Sequence, residues 1–148
     1  MNHAATAKYV RILDPVSLGA GAVTMDNNID TAGYSYLTVL YSVGVSGGVS
    51  ALKLQESDTS DFSAGNADVT GTTFGTALDI DGGTSTLPSA SNDEIHVVNV
   101  DLRGKKRYVR PVATNVGTTL TSIVGILTKA EEATNVLADR GAVTMVDA

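Results

Sequence analysis

The sequence predicts an all-β protein: a jelly-roll-like antiparallel β-sandwich with a long Ser/Thr/Asp/Gly-rich excursion and an extended C-terminal tail. Three observations predict it. Runs of β-branched, aromatic and aliphatic residues recur along the 148 residues, separated by turns rich in Gly, Asp and Asn. Several of these runs alternate apolar and polar positions, the period of a strand with one face in a core. No helix of ordinary length is signalled. The length suits one domain able to bury a core without disulfide staples. Residues 1–130 form the sandwich in this reading, and residues 131–148 a C-terminal tail or arm.

From the N-terminus, residues 7–13 read as a strand ended by Asp14 and Pro15, and residues 21–25 as a short second strand. Residues 36–43 put Leu37, Val39, Tyr41 and Val43 on one face and Tyr36, Thr38, Leu40 and Ser42 on the other. Both faces carry apolar groups, as in a central strand. In residues 49–56, Leu52 and Leu54 point one way and Lys53 and Gln55 the other. Gly44, Gly47 and Gly48 between these runs offer the backbone freedom of a tight turn, so the two runs are predicted to form a hairpin. A second hairpin is predicted from residues 94–102 and 107–114, turning over Arg103, Gly104, Lys105 and Lys106. Residues 118–129, rich in Thr, Ile, Val and Leu, make a further strand.

Residues 58–91 differ in composition, being rich in Ser, Thr, Asp, Gly and Ala. Phe62, Val69, Phe74, Leu78 and Ile80 are spaced through them, which predicts an ordered excursion that packs locally, with short strands at 76–80 and 67–70. In residues 131–148 the apolar side chains Val136, Leu137, Val143, Met145 and Val146 leave three readings open: a frayed tail, an arm lying on an adjacent subunit, or a short helix over 131–140.

A net charge of −6 disfavours general nucleic-acid binding, which needs a dominant positive field. The charge is unevenly spread. Five of the ten basic residues, Arg103, Lys105, Lys106, Arg107 and Arg110, fall in one short stretch, while most acids lie elsewhere. This segregation suits docking between neighbouring subunits; a strand edge guarded by solvated cations is the plainer reading. The candidate subunit or shell contacts are these five cations with Val143, Met145 and Val146. Arg107→Glu is expected to weaken such contacts. No cysteine is present, so disulfides and thiol chemistry are excluded. No apolar run approaches the roughly 20 residues that cross a bilayer, so no membrane partner is expected. The N-terminal residues lack a basic stretch followed by an apolar core, and the chain is expected to stay where it is made or to leave inside a larger assembly.

At these residues the chain resembles a family of small structural proteins of tailed bacteriophages, the capsid decoration or cement proteins. The resemblance runs from about Tyr34 to Thr128. It is carried by Gly33-Tyr-Ser-Tyr-Leu-Thr-Val39, by Leu52-Lys-Leu-Gln-Glu-Ser-Asp58 followed by Phe62 and Val69-Thr-Gly71, and by Arg107-Tyr-Val-Arg110 followed by Ser122-Ile-Val-Gly-Ile-Leu127. The long stretch 63–93 departs from the family's plan, and Phe62 stands near where the family carries a tryptophan. The resemblance implies a β-sandwich on the outside of a phage shell, made in the bacterial host cytoplasm. It further implies a homotrimer whose partner is the major capsid protein.

The residues supply little chemistry beside this. His3 lies near the N-terminus, and His96 alternates with Ile95 and Val97 in a strand, where a hydrogen-bonded structural histidine is the simplest reading. No serine sits in a nucleophile-elbow context. Asp58, Asp61, Asn66 and Asp68, and the run Asp79-Ile-Asp-Gly-Gly83, offer the oxygens calcium prefers, but without a complete loop spacing; ordinary turn chemistry accounts for them. Glu131 and Glu132 would point to opposite faces of a strand, unlike a glycosidase pair. The glycines at 44–48 lack the Lys and Ser/Thr of a phosphate loop. Neither catalytic residues, cofactor nor metal are therefore expected. Tyr108 and Arg110 share a strand face, with Tyr108 expected in the core and Arg107 facing outwards with Val109.

The reading is a non-enzymatic virion structural protein. The alternative is a carbohydrate- or receptor-binding sandwich of a tail or fibre, which would need an exposed aromatic platform; Tyr34, Tyr36 and Tyr41 are the candidates, with Tyr41 expected to be buried. An enzyme has the least support.

Overall fold

A computed structural model describes residues 6–25, 27–90 and 93–130. The described residues form nine strands: β1 (Lys8–Leu18), β2 (Gly21–Thr24), β3 (Ile29–Asp30), β4 (Tyr34–Ser46), β5 (Val49–Ser57), β6 (Ala67–Asp68), β7 (Glu94–Asp101), β8 (Tyr108–Asn115) and β9 (Thr119–Ala130). One antiparallel sheet has the order β1-β9-β4-β7. The other has the order β2-β8-β5-β6, with β3 also on β8 beside β2. If β2 and β3 are taken as one interrupted strand, the arrangement is a jelly roll of two four-stranded sheets.

The alternation read from the sequence sets the inner faces. Leu37, Val39, Tyr41 and Val43 of β4 are all buried, as are Leu52 and Leu54 of β5. Between the sheets they meet Ile12, Ile29, Val100, Val109, Ile123 and Leu127. Each such side chain stabilises the fold by about 1.5–3 kcal/mol through removal from water. Gly125 sits at the centre of this layer. A Cβ there would lie 3.1 Å from Ile29 Cδ1 and 3.3 Å from Ile12 Cδ1, so the absent side chain makes room for two isoleucines from opposite sheets.

The pairing differs from the predicted hairpins. β4 and β5 are consecutive but do not pair: β4 lies between β9 and β7, and β5 between β8 and β6. β7 and β8 likewise belong to different sheets. The glycine-rich link after β4 therefore turns a corner between layers. It runs beside the link from β8 to β9, to which it is tied by Gly47 N–H donating to Thr118 O at 2.7 Å and Val116 N–H donating to Gly48 O at 2.9 Å. Gly48 has a φ of 93°, in the left-handed region that glycine adopts without strain.

The first strand is longer than predicted and passes through Pro15. It can do so because β1 is a sheet edge, where a missing N–H costs no ladder bond, and because the register with β9 shifts between Leu13 and Val16. Pro111 is buried in the central strand β8. Its partner Leu54 turns its own N–H and C=O the other way, to Thr72 Oγ1 (3.2 Å) and Val69 N–H (2.9 Å). The proline nitrogen hence faces the β2/β3 side, where pairing stops at Val112 and resumes at Val109. No donor is needed in that gap.

The excursion after β5 packs locally in its first half. Phe62 and Val69 are buried, and Phe74 N–H donates to Leu52 O at 2.9 Å, so residues 69–74 line the edge of β5 beyond β6. The predicted strand at 67–70 is reduced to β6. The predicted strand at 76–80 is reduced to one antiparallel bridge, Leu78 with Thr84, that closes a turn: Asp79 N–H donates to Gly83 O (2.7 Å) and Ser85 N–H donates to Ala77 O (2.8 Å), leaving Leu78 and Ile80 exposed. The predicted C-terminal tail lies outside the described residues, as do its candidate contacts Val143, Met145 and Val146. Among the described residues no helix is long and apolar enough to cross a membrane.

Candidate interaction surfaces

Two stretches far apart in the chain, 49–58 and 105–111, come together as neighbouring strands. β5 and β8 pair in register, Leu54 opposite Pro111 and Ser57 opposite Tyr108. Beyond the ladder, Lys106 Nζ meets Asp58 Oδ2 at 2.8 Å and donates to Gly65 O at 2.5 Å, while its N–H donates to Glu56 at 3.1 Å. Arg110 lays its guanidinium 4.1 Å from the centre of the Phe62 ring and donates to Gln55 Oε1 at 3.1 Å. Phe62 holds a φ of 53°, uncommon for a bulky residue, and Asn66 fastens its carbonyl with a 2.6 Å hydrogen bond. Cations on the 105–110 stretch thus pin the start of the excursion to the sheet.

The remaining cations are placed as follows. Arg107 grips Asp30 with two hydrogen bonds of 2.9 and 2.8 Å, and the guanidinium lowers the Asp30 pKa below the usual carboxylate value. Arg103 forms a forked pair with Asp101, its Nε donating at 2.9 and 3.0 Å, which holds the Asp101 pKa down at about 2. Lys105 makes no salt bridge among the described residues. The face assignment at Tyr108 is corrected: Val109 is the buried residue, with Pro111, Ala113 and Asn115, while Tyr108 and Arg110 share the outer face. Packing selects the small apolar alternates Val109, Pro111 and Ala113 for the inner layer, and the larger Tyr108 stacks under Arg107 at 5.1 Å.

The acidic loop residues are engaged separately. Asp61 accepts from Ser63 N–H at 3.0 Å, which lowers its pKa, and Asp68 pairs with Lys53 at 2.6 Å, which lowers its pKa too. Asp79 and Asp81 accept from Ile80 and Gly83 N–H within their own turn. Among the described residues no cluster of three His, Asp or Glu side chains is arranged to hold a metal ion. The tyrosines do not gather into a platform. Tyr41 is buried, which pushes its pKa up, Tyr34 packs against the core, and Lys129 Nζ covers the Tyr36 ring at 4.6 Å.

One feature was not legible in the sequence. A groove of about 660 Å³ runs between β7 and residues 71–86. Phe74, His96 and Val98 line it, with Leu78 and Ile80 on one rim and Ile95 and Val97 on the other. His96 Nε2 lies 2.9 Å from Glu94 Oε2 and meets the Phe74 ring edge to face at 5.5 Å, so this histidine is a structural group of the groove wall. Forming the groove depends on how the excursion returns to sheet level, which no local sequence pattern encodes.

The fold and these surfaces define a jelly-roll β-sandwich domain. No protein-family model matches the chain, and no curated protein matches it. A chain in a solved structure of infectious bursal disease virus, Gx strain, superposes with a TM-score of 0.47 at 12% identity, over 84% of this chain and 32% of that chain. The domain thus spans about a third of that longer chain.

Proposed function

We propose that this chain is a non-enzymatic virion structural protein that decorates a phage shell, bridging major capsid subunits as a homotrimer. The observation that supports the reading most is the union of β5 and β8. The Leu52–Asp58 and Arg107–Arg110 phrases that carry the family resemblance are one physical unit, joined by the Lys106–Asp58 pair and the Arg110–Phe62 stack. Their charged residues serve rigidity rather than a reaction site. A rigid sandwich with segregated surface charge suits repeated docking. Many weak contacts, multiplied by the symmetry of a shell, add up to firm attachment.

Copy number tests the proposal. In purified particles of the virus that encodes the chain, quantitative mass spectrometry is expected to find it at parity with the major shell protein, or at a simple fraction of it. A handful of copies per particle, or none, overturns the decoration role.

A further inference from the structure

The two outer faces of the sandwich differ in chemistry. The β2-β8-β5-β6 sheet is laced with charge on its outside: Lys53 pairs with Asp68, Arg107 with Asp30, and Arg110 bonds Gln55. The β1-β9-β4-β7 sheet is not. Its buried alternates include Val39, Tyr41, Ile123 and Leu127, so Leu40, Val124 and Ile126 face outwards, with Val97 beside Leu40 and Ile95 beside Ser42. Ile95 is 71% exposed, Val97 49% and Leu120, on the same face, 45%. Among the described residues the charges of this face stand at its rim: Arg11 paired with Asp14, Asp101 paired with Arg103, and Lys129 over the Tyr36 ring. Antiparallel sheets that meet water on one side carry polar groups there. A contiguous apolar face with charge only at its rim marks a surface that is covered in use.

We infer that an adjoining copy of this chain covers the face, seating its own Leu78–Ile80 turn on it. The inference deepens the homotrimer reading and rests on it. The turn is a second apolar patch: Leu78 is 77% exposed and Ile80 fully so. It is firmly built. The Leu78–Thr84 bridge closes it, and Asp79 and Asp81 accept from Ile80 and Gly83 N–H at 2.7 and 2.8 Å. Three arguments select this occupant. In a three-fold ring each copy meets its neighbours through two unlike patches. The face and the turn are unlike and flank one groove, so both can face the same axis. Charge agrees as well: among the described residues no salt bridge engages Asp79 or Asp81 of the turn, and none engages Lys129 at the rim of the face. Size is adequate. Four strands about 4.8 Å apart, each spanning eight residues at about 3.4 Å, present about 500 Å² in projection. That is of the order of one partner's share of a standard interface, about 800 Å². Leu40, Ile95 and Val97 then receive Leu78 and Ile80 in a centre without charge, with Asp79 and Asp81 towards the cationic rim.

Sedimentation velocity of the purified full chain tests this, with circular dichroism checking that each variant keeps its β signal. The parent is expected to sediment as a trimer. Val97→Glu and Ile80→Asp are each expected to shift most of it to monomer. Val116→Glu, at a residue 64% exposed in the link from β8 to β9, is expected to leave the trimer intact. The chain has no cysteine, which permits a second measurement. Ile80→Cys is mixed in turn with Ile95→Cys and with Val97→Cys under mild oxidation. At least one mixture is expected to give a mixed disulfide-linked dimer in excess of what each variant forms alone. Absence of that product from both mixtures overturns the turn as the occupant. A trimer that survives both Val97→Glu and Ile80→Asp overturns the contact and leaves the homotrimer standing, and equal loss of the trimer in Val116→Glu overturns the contact too. A monomeric parent overturns the contact and the homotrimer together, while the decoration role is still decided by copy number.

Discussion

Gly47 and Gly117 meet back to back where two links between the sheets pass each other. A Cβ placed on Gly47 would lie 2.6 Å from Gly117 Cα, and one on Gly117 would lie 3.1 Å from Gly47 Cα. Backbone, not a yielding side chain, stands in the way. Gly47→Ala is therefore expected to destabilise the fold by about 1–3 kcal/mol, the range of core overpacking. Gly19→Ala, where nothing lies within 4 Å, serves as the control and is expected to stay within about 0.5 kcal/mol of the parent. Urea unfolding of both variants gives the comparison; equal midpoints would refute the crossing as a constraint.

Gly125 makes the opposite case, because its near neighbours are the far ends of two isoleucines. Gly125→Ala is expected to cost less than Gly47→Ala. Ile29→Val alone removes a buried methyl group at about 0.5–1.5 kcal/mol. In the Gly125→Ala background the same change frees the space the new methyl needs, so the double variant is expected to be more stable than the sum of the singles. Additive unfolding free energies would show that the contact is not limiting.

The Arg110–Phe62 stack is open to a double-mutant cycle with Arg110→Ala and Phe62→Leu. A coupling of about 0.5–2 kcal/mol is expected for a guanidinium over a buried ring. A coupling indistinguishable from zero would leave only burial to hold the start of the excursion.

Acid titration reports on Arg103. The folded Asp101 carboxyl, near 2, lies below its unfolded value of about 3.9. A depressed carboxyl contributes stability above the unfolded value and loses it as pH falls through the folded one, here between about pH 4 and pH 2. Carbon-detected NMR is expected to show the Asp101 midpoint near 2 in the parent and close to the ordinary carboxylate value in Arg103→Ala. An unmoved midpoint would mean that Arg103 is not its cause.

If the decoration role holds, Lys105, which makes no salt bridge among the described residues, has more to offer a partner than the paired Arg103. Lys105→Glu is expected to weaken attachment to purified shells more than Arg103→Glu, because Arg103 is already neutralised by Asp101. Sedimentation with shells at two salt concentrations measures this. Equal loss in the two variants would indicate that net charge alone governs binding.

Much of the fold was legible in the sequence. The inward faces of β4 and β5 follow from alternation at Leu37, Val39, Tyr41, Val43, Leu52 and Leu54, since a period of two is a local signal. Strand partners are not local. Glycine-rich links at 44–48 and around Gly104 fit a hairpin and a corner between sheets equally well; the choice is made by contacts such as Gly47 with Gly117, seventy residues apart. At Tyr108 an aromatic residue suggested the core, whereas the alternates Val109, Pro111 and Ala113 were the better guide. The cation cluster was visible as composition, but its intrachain partners Asp30 and Asp58 are remote in sequence and appear only once β3, β5 and β8 are side by side.

The pairing of β1 with β9 joins the first and last described strands of the sandwich. Ile12 has no finished surface to rest on until Ile123 and Leu127 have been synthesised. The two layers therefore close only once β9 has been made. Until then a newborn copy carries strand-rich, uncovered apolar surface that can meet its siblings on the polysome.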